Sequence, residues 1–365
     1  MFNNIYSNKK ILITGNTGFK GSWLSIWLLN LGAEVYGLSK GVPSQPSMFK
    51  ELDLKNKIVH YNKDIRDLES VKKIINEVKP DFLFHLAAQS LVSVSYDDPI
   101  ETISTNVMGT TNVLEALKLL NRNCIAIIIT SDKCYDNVEW VWGYKELDAL
   151  GGKDIYSGSK GAAELIFKSY YHSFFKKKIS NIKIATARAG NVIGGGDWAQ
   201  DRIIPDCMRA WNNNDVVEVR NPSATRPWQH VLEPLSGYLN LGQKLFKFGK
   251  MNGESFNFGP LGQYSQSVTK IIQDMARYWK IDLQKAFDIT EDIKFDEAGL
   301  LKLNCDKALF HLNWLPALSY NDLIEFTASW YYNYYNSKNN MYDITINQIK
   351  NYEKTAFAKS INWTK

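Results

Sequence analysis

The sequence predicts an α/β fold: a doubly wound parallel sheet in its first half, followed by a smaller mixed α/β region. Three observations point there. The wholly apolar run at residues 125–129 reads as a strand buried on both faces of a parallel sheet. Strand-like runs alternate with helical patterns from Lys9 to Arg188. The first of them, residues 9–14, runs directly into glycines spaced G-x-x-G-x-x-G at Gly15, Gly18 and Gly21, and then into a helical pattern starting at Ser22.

The glycine turn is the first element with chemistry in it. Gly15 permits a tight turn, Gly18 lets the backbone approach a pyrophosphate, and Gly21 lets helix and strand pack closely, which together read as a dinucleotide site. The second strand, residues 34–38, ends in Ser39-Lys40 instead of the acid that commonly holds the adenosine ribose of NAD, so NAD and NADP both stay open. Asp64 follows the third strand at a place where a carboxylate can meet an adenine amino group; the Asp64–Asp67 stretch equally suits an N-cap for a helix over residues 68–78. Residues 81–89 form the fourth strand, with Ala87 and Ala88 small enough for a cofactor to lie against the backbone, and His85 reads as a hydrogen-bonded core residue. Residues 101–120 form one long amphipathic helix carrying Asn106, which flanks the helix of Tyr156 and offers a dimer interface.

The chemistry concentrates between residues 125 and 160. The buried strand ends in the polar cluster Thr130-Ser131-Asp132-Lys133, and open α/β sheets bind ligands at the carboxyl ends of their strands. Tyr156 and Lys160 follow, four apart on a helical pattern and so on one face. A neighbouring ammonium favours the phenolate, which predicts that Tyr156 works as a base well below its free pKa. A sixth strand at residues 182–188 precedes Ala189 to Trp198, where three consecutive glycines break the periodicity in a loop expected to face the site. Beyond it the text is loop-rich, with a strand at residues 216–220, helices at 232–246 and 268–279, and a polar turn at 336–340 between the final helices. Arg202, Arg220 and Arg226 lie there among aromatic residues, and guanidinium forks suit a diphosphate.

Composition excludes several classes. At 365 residues there is room for one large or two moderate domains, and 45% hydrophobic with 22% charged residues is the balance of a water-soluble globular protein. A net charge of +5 is modest and basic runs such as Lys176-Lys177-Lys178 are short, so a solvated face is expected and no nucleic-acid partner. Cys124, Cys134, Cys207 and Cys305 form no C-x-x-C pair and no metal spacing, which suits reduced thiols in a cytoplasmic protein without a metal. Residues 1–6 lack the blocks of a signal peptide, and no stretch approaches the ~18 apolar residues of a membrane span.

These motifs together resemble the extended short-chain dehydrogenase/reductase superfamily, over roughly residues 8 to 335. The strings Thr14-Gly15-Asn16-Thr17-Gly18-Phe19-Lys20-Gly21, Ser131-Asp132-Lys133, Gly194-Gly195-Gly196-Asp197-Trp198 and Arg226-Pro227-Trp228-Gln229-His230-Val231 are similar to the CDP-sugar branch of its nucleotide-sugar 4,6-dehydratases. Related dTDP-glucose and GDP-mannose enzymes typically carry Glu at the position of Lys133. The resemblance implies a Rossmann domain for NAD over residues 1–190, joined by some later segments, and a region mainly for the nucleotide sugar over 191–365. It implies CDP-glucose as substrate and a homodimer or homotetramer. NAD would lie on Gly15, Thr17, Gly18, Phe19, Lys20, Asp64, Ile65, Leu86, Ala87 and Ala88, with Tyr156 and Lys160. Gln89, Ser90, Ser131, Asn191, Arg202 and Arg226 would hold the substrate.

The implied reaction is oxidation at carbon 4 with Tyr156 as base, loss of water across carbons 5 and 6 with Asp132 as acid, and hydride return to carbon 6. Lys133 would be the carbon 5 base or an electrostatic stabiliser of the enolate. Asp132 must then carry a proton and Lys133 must lack one, and an ion pair between them opposes both. A nucleotide-sugar 4-epimerase would share Tyr156, Lys160 and the glycines but needs no acid for carbon 6. A dinucleotide-sensing protein without turnover would have no use for Ser131, Tyr156 and Lys160 together.

Overall fold

The computed structural model describes residues 1–177, 180–219, 221–261, 266–290 and 299–365; Lys178 and Arg220, singled out above, lie outside them. In chain order the first half runs β1 (Lys10–Thr14), α1 (Phe19–Asn30), β2 (Glu34–Ser39), α2 (Met48–Glu51), β3 (Val59–Asn62), α3 (Leu68–Val78), β4 (Phe82–His85), α4 (Val92–Asp97), α5 (Pro99–Ile103), α6 (Gly109–Lys118), β5 (Cys124–Ile129), α7 (Ile155–Tyr170) and β6 (Ile182–Ala189). The second half runs β7 (Val192–Ile193), α8 (Ile203–Asn212), β8 (Val217–Val219), β9 (Thr225–Arg226), β10 (Gln229–His230), α9 (Leu232–Phe248), β11 (Ser255–Phe258), β12 (Gln266–Ser267), α10 (Val268–Tyr278), β13 (Phe287–Ile289), α11 (Asp306–Leu312), α12 (Tyr320–Asn336) and α13 (Met341–Ala358).

The central sheet has seven strands in the order β11-β6-β5-β4-β1-β2-β3, all paired in parallel. The chain winds outward from β1 to β3, then returns to place β4 on the other side of β1. That reversal opens a crevice beyond the carboxyl ends of β1 and β4, where such sheets take ligands. Strand residues alternate strictly between two cores: Ile125, Ile127 and Ile129 pack with α1, α9 and the C-terminal helices, whereas Cys124, Ala126 and Ile128 pack with α3, α6 and α7. Burial on both faces is why these strands read as continuous apolar runs. On the first face α13 covers α1, and the Trp27 indole donates to Glu353 Oε1 at 2.8 Å.

The structure redraws several expected elements. The strand expected at 81–89 stops at His85, and the remainder is a loop. The helix expected over 101–120 begins at Pro99 and passes through a π-turn at Ser104–Met108 before α6. Asn106 lies in this π-turn, and its amide accepts from Gln89 N at 2.8 Å and donates to Gln89 O at 3.0 Å and to Ser159 Oγ at 2.9 Å. The N-cap expected from the Asp64–Asp67 stretch is Asp67, which accepts from Ser70 N. In the three-glycine loop Gly195 and Gly196 face the core, while Asp197 of the same loop pairs with Arg202. A Cβ on Gly195 would lie 2.1 Å from the Trp330 ring, and Gly196 (φ 83°) packs on Met48.

Candidate active site

Gly15 sits in the left-handed region at φ 77°, and a Cβ there would lie 2.6 Å from Ala87 N. The turn after β1 is thus pressed against the loop after β4, where Ala87 N donates to Thr14 Oγ1 at 3.2 Å. Gly21 packs α1 onto the turn, since its Cβ would lie 2.1 Å from Gly15 O. Gly18 is the N-cap of α1 without a side-chain cap, and a Cβ on it would meet only Gly15 O, at 3.4 Å. This leaves a bare helix N-terminus facing the crevice, suited to a pyrophosphate. Thr17 N is held by Ser39 Oγ at 3.3 Å, and Ser39 Oγ donates to Asn16 Oδ1 at 2.8 Å, so β2 braces the cradle. Phe19 reaches Gly194 from the helix start.

Asp64 and Ile65 stand at the outer end of the crevice. The Arg66 guanidinium grips Asp64, donating to its Oδ2 at 2.6 Å, and lowers the carboxyl to about 2; Lys40 lies 3.5 Å away. Arg66 also pairs with Glu101. Ile65 is buried beneath Gly109, and its carbonyl accepts from Asn112 at 3.0 Å.

The polar cluster after β5 forms a tight turn. Ser131 caps it by accepting from Lys133 N at 3.3 Å, and Ser131 Oγ donates to Asp132 Oδ1 at 2.9 Å. Asp132 is 1% exposed, and its Oδ2 is buried without a hydrogen-bond partner among the described residues. Lys133 Nζ lies 3.8 Å from Asp132 Oδ1 and is one-third exposed, a loose pair.

Asp154 caps α7 through Ser157 N at 2.9 Å, which aims Tyr156 and Lys160 at this turn. Both are buried. The expected lowering of Tyr156 by Lys160 is not what the structure gives, because burial outweighs it. Burial dominates and pushes the phenol up to about 12; Ser131 hydrogen-bonds it and opposes the rise, and the Asp132 charge adds to it. Burial likewise lowers Lys160 to about 8, with Cys134 and Glu164 holding it up. Lys20 is lowered to about 8, first by burial and then by Arg202 and Lys160, while Asp132 and Asp197 counter this. Three cations therefore converge on the crevice around two carboxylates.

The opposite wall comes from the second half of the chain. Asn191 has φ 50° and a buried Nδ2 that lacks a partner among the described residues, a free donor such as a bound ligand could use. Arg202 donates to Asp197 Oδ2 at 2.7 Å and to Ser90 Oγ at 3.2 Å, so two expected substrate residues meet across the crevice. Gln89 is occupied differently from the expectation: its side chain bonds Leu91 N, Leu91 O and Thr102 Oγ1 and shapes the loop after β4. Arg226 donates to the Gly299 and Thr225 carbonyls, both at 3.1 Å.

Sequence reasoning missed the supports. Gln229 Nε2 donates to Gly190 O and Phe258 O, both at 3.0 Å, fixing the backbone beside Asp132. Glu164, one turn after Lys160, is fully buried with Arg188 at 2.9 Å and accepts from Thr130 at 2.6 Å and Thr186 at 3.0 Å. Arg188 also donates to Tyr135 OH at 2.7 Å, tying α7, β6 and the catalytic turn together. An acid and an arginine inside apolar segments were the available signal. His85 is the core residue expected, bonded to Thr14 at 2.6 Å and Thr110 at 3.0 Å and lowered to about 3 by burial.

Comparison with known proteins agrees with this geometry. A family model described as GDP-mannose 4,6 dehydratase matches residues 12–327. The CDP-glucose 4,6-dehydratase of Salmonella typhimurium is 45% identical over 331 residues, 90% of this chain and 92% of that protein. A CDP-paratose 2-epimerase of Salmonella typhi is 26% identical, over 88% of this chain and 98% of that one. Among solved structures, a dTDP-glucose 4,6-dehydratase from Streptomyces venezuelae with NAD bound superposes with a TM-score of 0.75 at 19% identity, covering 89% and 97% of the two chains. A UDP-glucose 4-epimerase from Thermotoga maritima superposes with a TM-score of 0.75 at 21% identity, covering 87% and 97%.

Proposed function

We infer the function of this chain from its membership: it belongs to the GDP-mannose 4,6-dehydratase family. It is a nucleotide-sugar 4,6-dehydratase that takes CDP-D-glucose to CDP-4-dehydro-6-deoxy-D-glucose and water, a precursor step for deoxysugars of surface polysaccharide. The observation that carries the reading is Asp132, a buried carboxyl with one unpartnered oxygen, set between Ser131 and Lys133 and facing Tyr156. An epimerase has no leaving oxygen for such a group to serve.

The crevice fits NAD: the bare N-terminus of α1 at Gly18 suits the pyrophosphate, and the buried Lys160 would bind the nicotinamide ribose. NAD, once bound, supplies a hydride acceptor for carbon 4 and gives the hydride back at carbon 6. Tyr156 takes the proton of the carbon 4 hydroxyl, which Ser131 orients. Lys133 takes the proton of carbon 5, made acidic by the 4-keto group. Asp132 protonates the carbon 6 oxygen, which leaves as water. Asn191 Nδ2, Arg202 and Arg226 hold the diphosphate, and Ser90 and the Gln89 loop line the sugar pocket.

Exposed Ile100, Ile103, Met108 and Leu165 on the α5–α7 side suit a homodimer or a dimer of dimers. A cytoplasmic setting goes with four free cysteines, three of them buried; among the described residues no helix is long and apolar enough to cross a membrane.

The test is incubation of purified protein with CDP-glucose and NAD, reading the absorbance of the alkali-treated product, with dTDP-, UDP- and GDP-sugars in parallel and Tyr156→Phe as blank. A 4-keto signal from CDP-glucose is the expected result. Signal only from another nucleotide keeps the reaction and discards the cytidine substrate. No signal from any of them, with NAD bound, overturns the dehydratase reading.

A further inference from the structure

The end of β2 departs from the pattern of an NAD site in a way that bears on the choice of cofactor. In folds of this kind the adenosine ribose lies beside the end of the second strand, about 20 residues beyond the glycine turn, where an Asp or Glu takes the 2′-hydroxyl. That carboxylate also repels a phosphate on the same oxygen, and so tells NAD from NADP. Here residues 35–44 contain no Asp or Glu. Ser39 stands at the strand end, and its hydroxyl is already engaged, with Thr17 N at 3.3 Å and Asn16 Oδ1 at 2.8 Å. The next residue is Lys40.

Two acids do reach this place from elsewhere in the chain, and both are held by another cation. Arg66 grips Asp64, through Nη2 to Oδ2 at 2.6 Å and Nε to Oδ1 at 3.1 Å, and it also pairs with Glu101. Lys40 Nζ lies farther out, 3.5 Å from Asp64 Oδ2 and 3.6 Å from Glu101 Oε1, on a side chain 63% exposed. Loose pairs at that exposure hold a lysine weakly, so Lys40 can exchange them for a stronger anion. The same distances locate it. Ser39 is bonded to the glycine turn on one side, and Lys40 meets the Asp64 carboxylate on the other. Lys40 thus stands between the pyrophosphate cradle and the adenine end of the crevice.

We propose, building on the dinucleotide-site reading above, that this chain binds NADP as readily as NAD, with Lys40 as the residue that receives the 2′-phosphate. A phosphate monoester carries a charge of about −1.5 to −2 at pH 7, a stronger partner for an ammonium than one carboxylate oxygen at 3.5 Å. Lys40 has the flexible stem and the compact charge that suit such a contact. Arg66 serves it indirectly, because its guanidinium neutralises Asp64 and Glu101, the two acids that would otherwise repel the phosphate. NAD binding needs neither contact and keeps the glycine turn.

The test is calorimetric titration of the purified protein with NAD+ and with NADP+, each at ~0.05 and ~0.5 M salt. The two Kd values should lie within about tenfold of each other at low salt, and the NADP+ value should rise more steeply with salt. Lys40→Ala should weaken NADP+ by at least about tenfold and NAD+ by less than about threefold, so that NAD+ binding reports an intact fold. Lys40→Asp, which restores an acid at the end of β2, should favour NAD+ by at least about 100-fold. Wild-type protein that binds NAD+ and holds NADP+ more than about tenfold less tightly overturns this inference and leaves the dinucleotide site standing. Equal binding of both cofactors that Lys40→Ala does not alter overturns the assignment of Lys40. Failure of both cofactors to bind overturns the dinucleotide-site reading, and this inference with it.

Discussion

Asp132 Oδ2 occupies the space where any side chain on Gly190 would begin: a Cβ built there would lie 1.8 Å from it. The contact is two-sided, because Gln229 pins the Gly190 carbonyl at 3.0 Å and the backbone cannot withdraw. Gly190→Ala should therefore rotate the carboxyl away and leave the fold intact. Turnover is expected to fall by about 10²–10³ while oxidation at carbon 4 persists, seen as reduced nicotinamide that accumulates and does not decay.

The pH profile follows from two buried groups. Tyr156 is pushed up to about 12, so its basic form grows about tenfold per pH unit across the working range. Lys160, lowered to about 8, loses its charge above that pH. If the phenolate and the ammonium are both required, kcat/KM rises with pH up to about 8 and then levels off. In Lys160→Arg, which stays charged, the rise should continue past that point, measured as kcat/KM across neutral to alkaline pH.

Asp197 acts through Arg202, whose guanidinium it anchors at 2.7 Å. Asp197→Asn weakens that anchor and frees the arginine from the orientation in which we propose it meets the diphosphate. KM for CDP-glucose should rise by about tenfold with kcat changed by less than about threefold. A large fall in kcat with an unchanged KM would assign Asp197 to the chemistry instead.

Glu233, far from the crevice, sets a stability dependence. It accepts from Ala317 N at 2.9 Å, Leu318 N at 2.6 Å and Tyr352 OH at 2.7 Å, and burial raises it to about 7. Its folded value lies above its unfolded one near 4.3. The protonated form is thus favoured by folding, and the stability it brings is full below about pH 4 and lost as pH rises to about 7. The swing is at most about 4 kcal/mol. Glu233→Gln, without a titrating group, should flatten urea-unfolding stability over that window.

Much of this was legible in the chain. Residues 125–129 announced a strand buried on both faces because no polar residue interrupts the run, and that is β5. The three glycines after β1 announced a turn, a bare helix end and a close packing, and each does what its missing Cβ allows. Other features stayed out of reach. Asn106 sits in a π-turn and bonds to Gln89 and Ser159, 17 and 53 residues away in the chain, and helical periodicity carries no trace of such partners. The three-glycine loop signalled a break in pattern but not its direction; Trp330 and Met48, from distant parts of the chain, fill the space beside Gly195 and Gly196.

By itself the sequence determined the doubly wound sheet, the dinucleotide turn and the identities of Ser131, Asp132, Lys133, Tyr156 and Lys160, since apolar period and local spacing are properties of neighbouring residues. Only the tertiary structure decided how Tyr156 and Lys160 titrate and which of these groups touch. Tyr156 and Lys160 share a helix face, yet burial governs both, pushing the phenol up and the ammonium down. Tyr156 and Lys160 come to the turn of Ser131 and Asp132 because α7 packs over it, held there by Glu164 and Arg188. Charge state and proton connectivity depend on the solvent a fold removes and the distances it closes, and neither exists until the chain is packed.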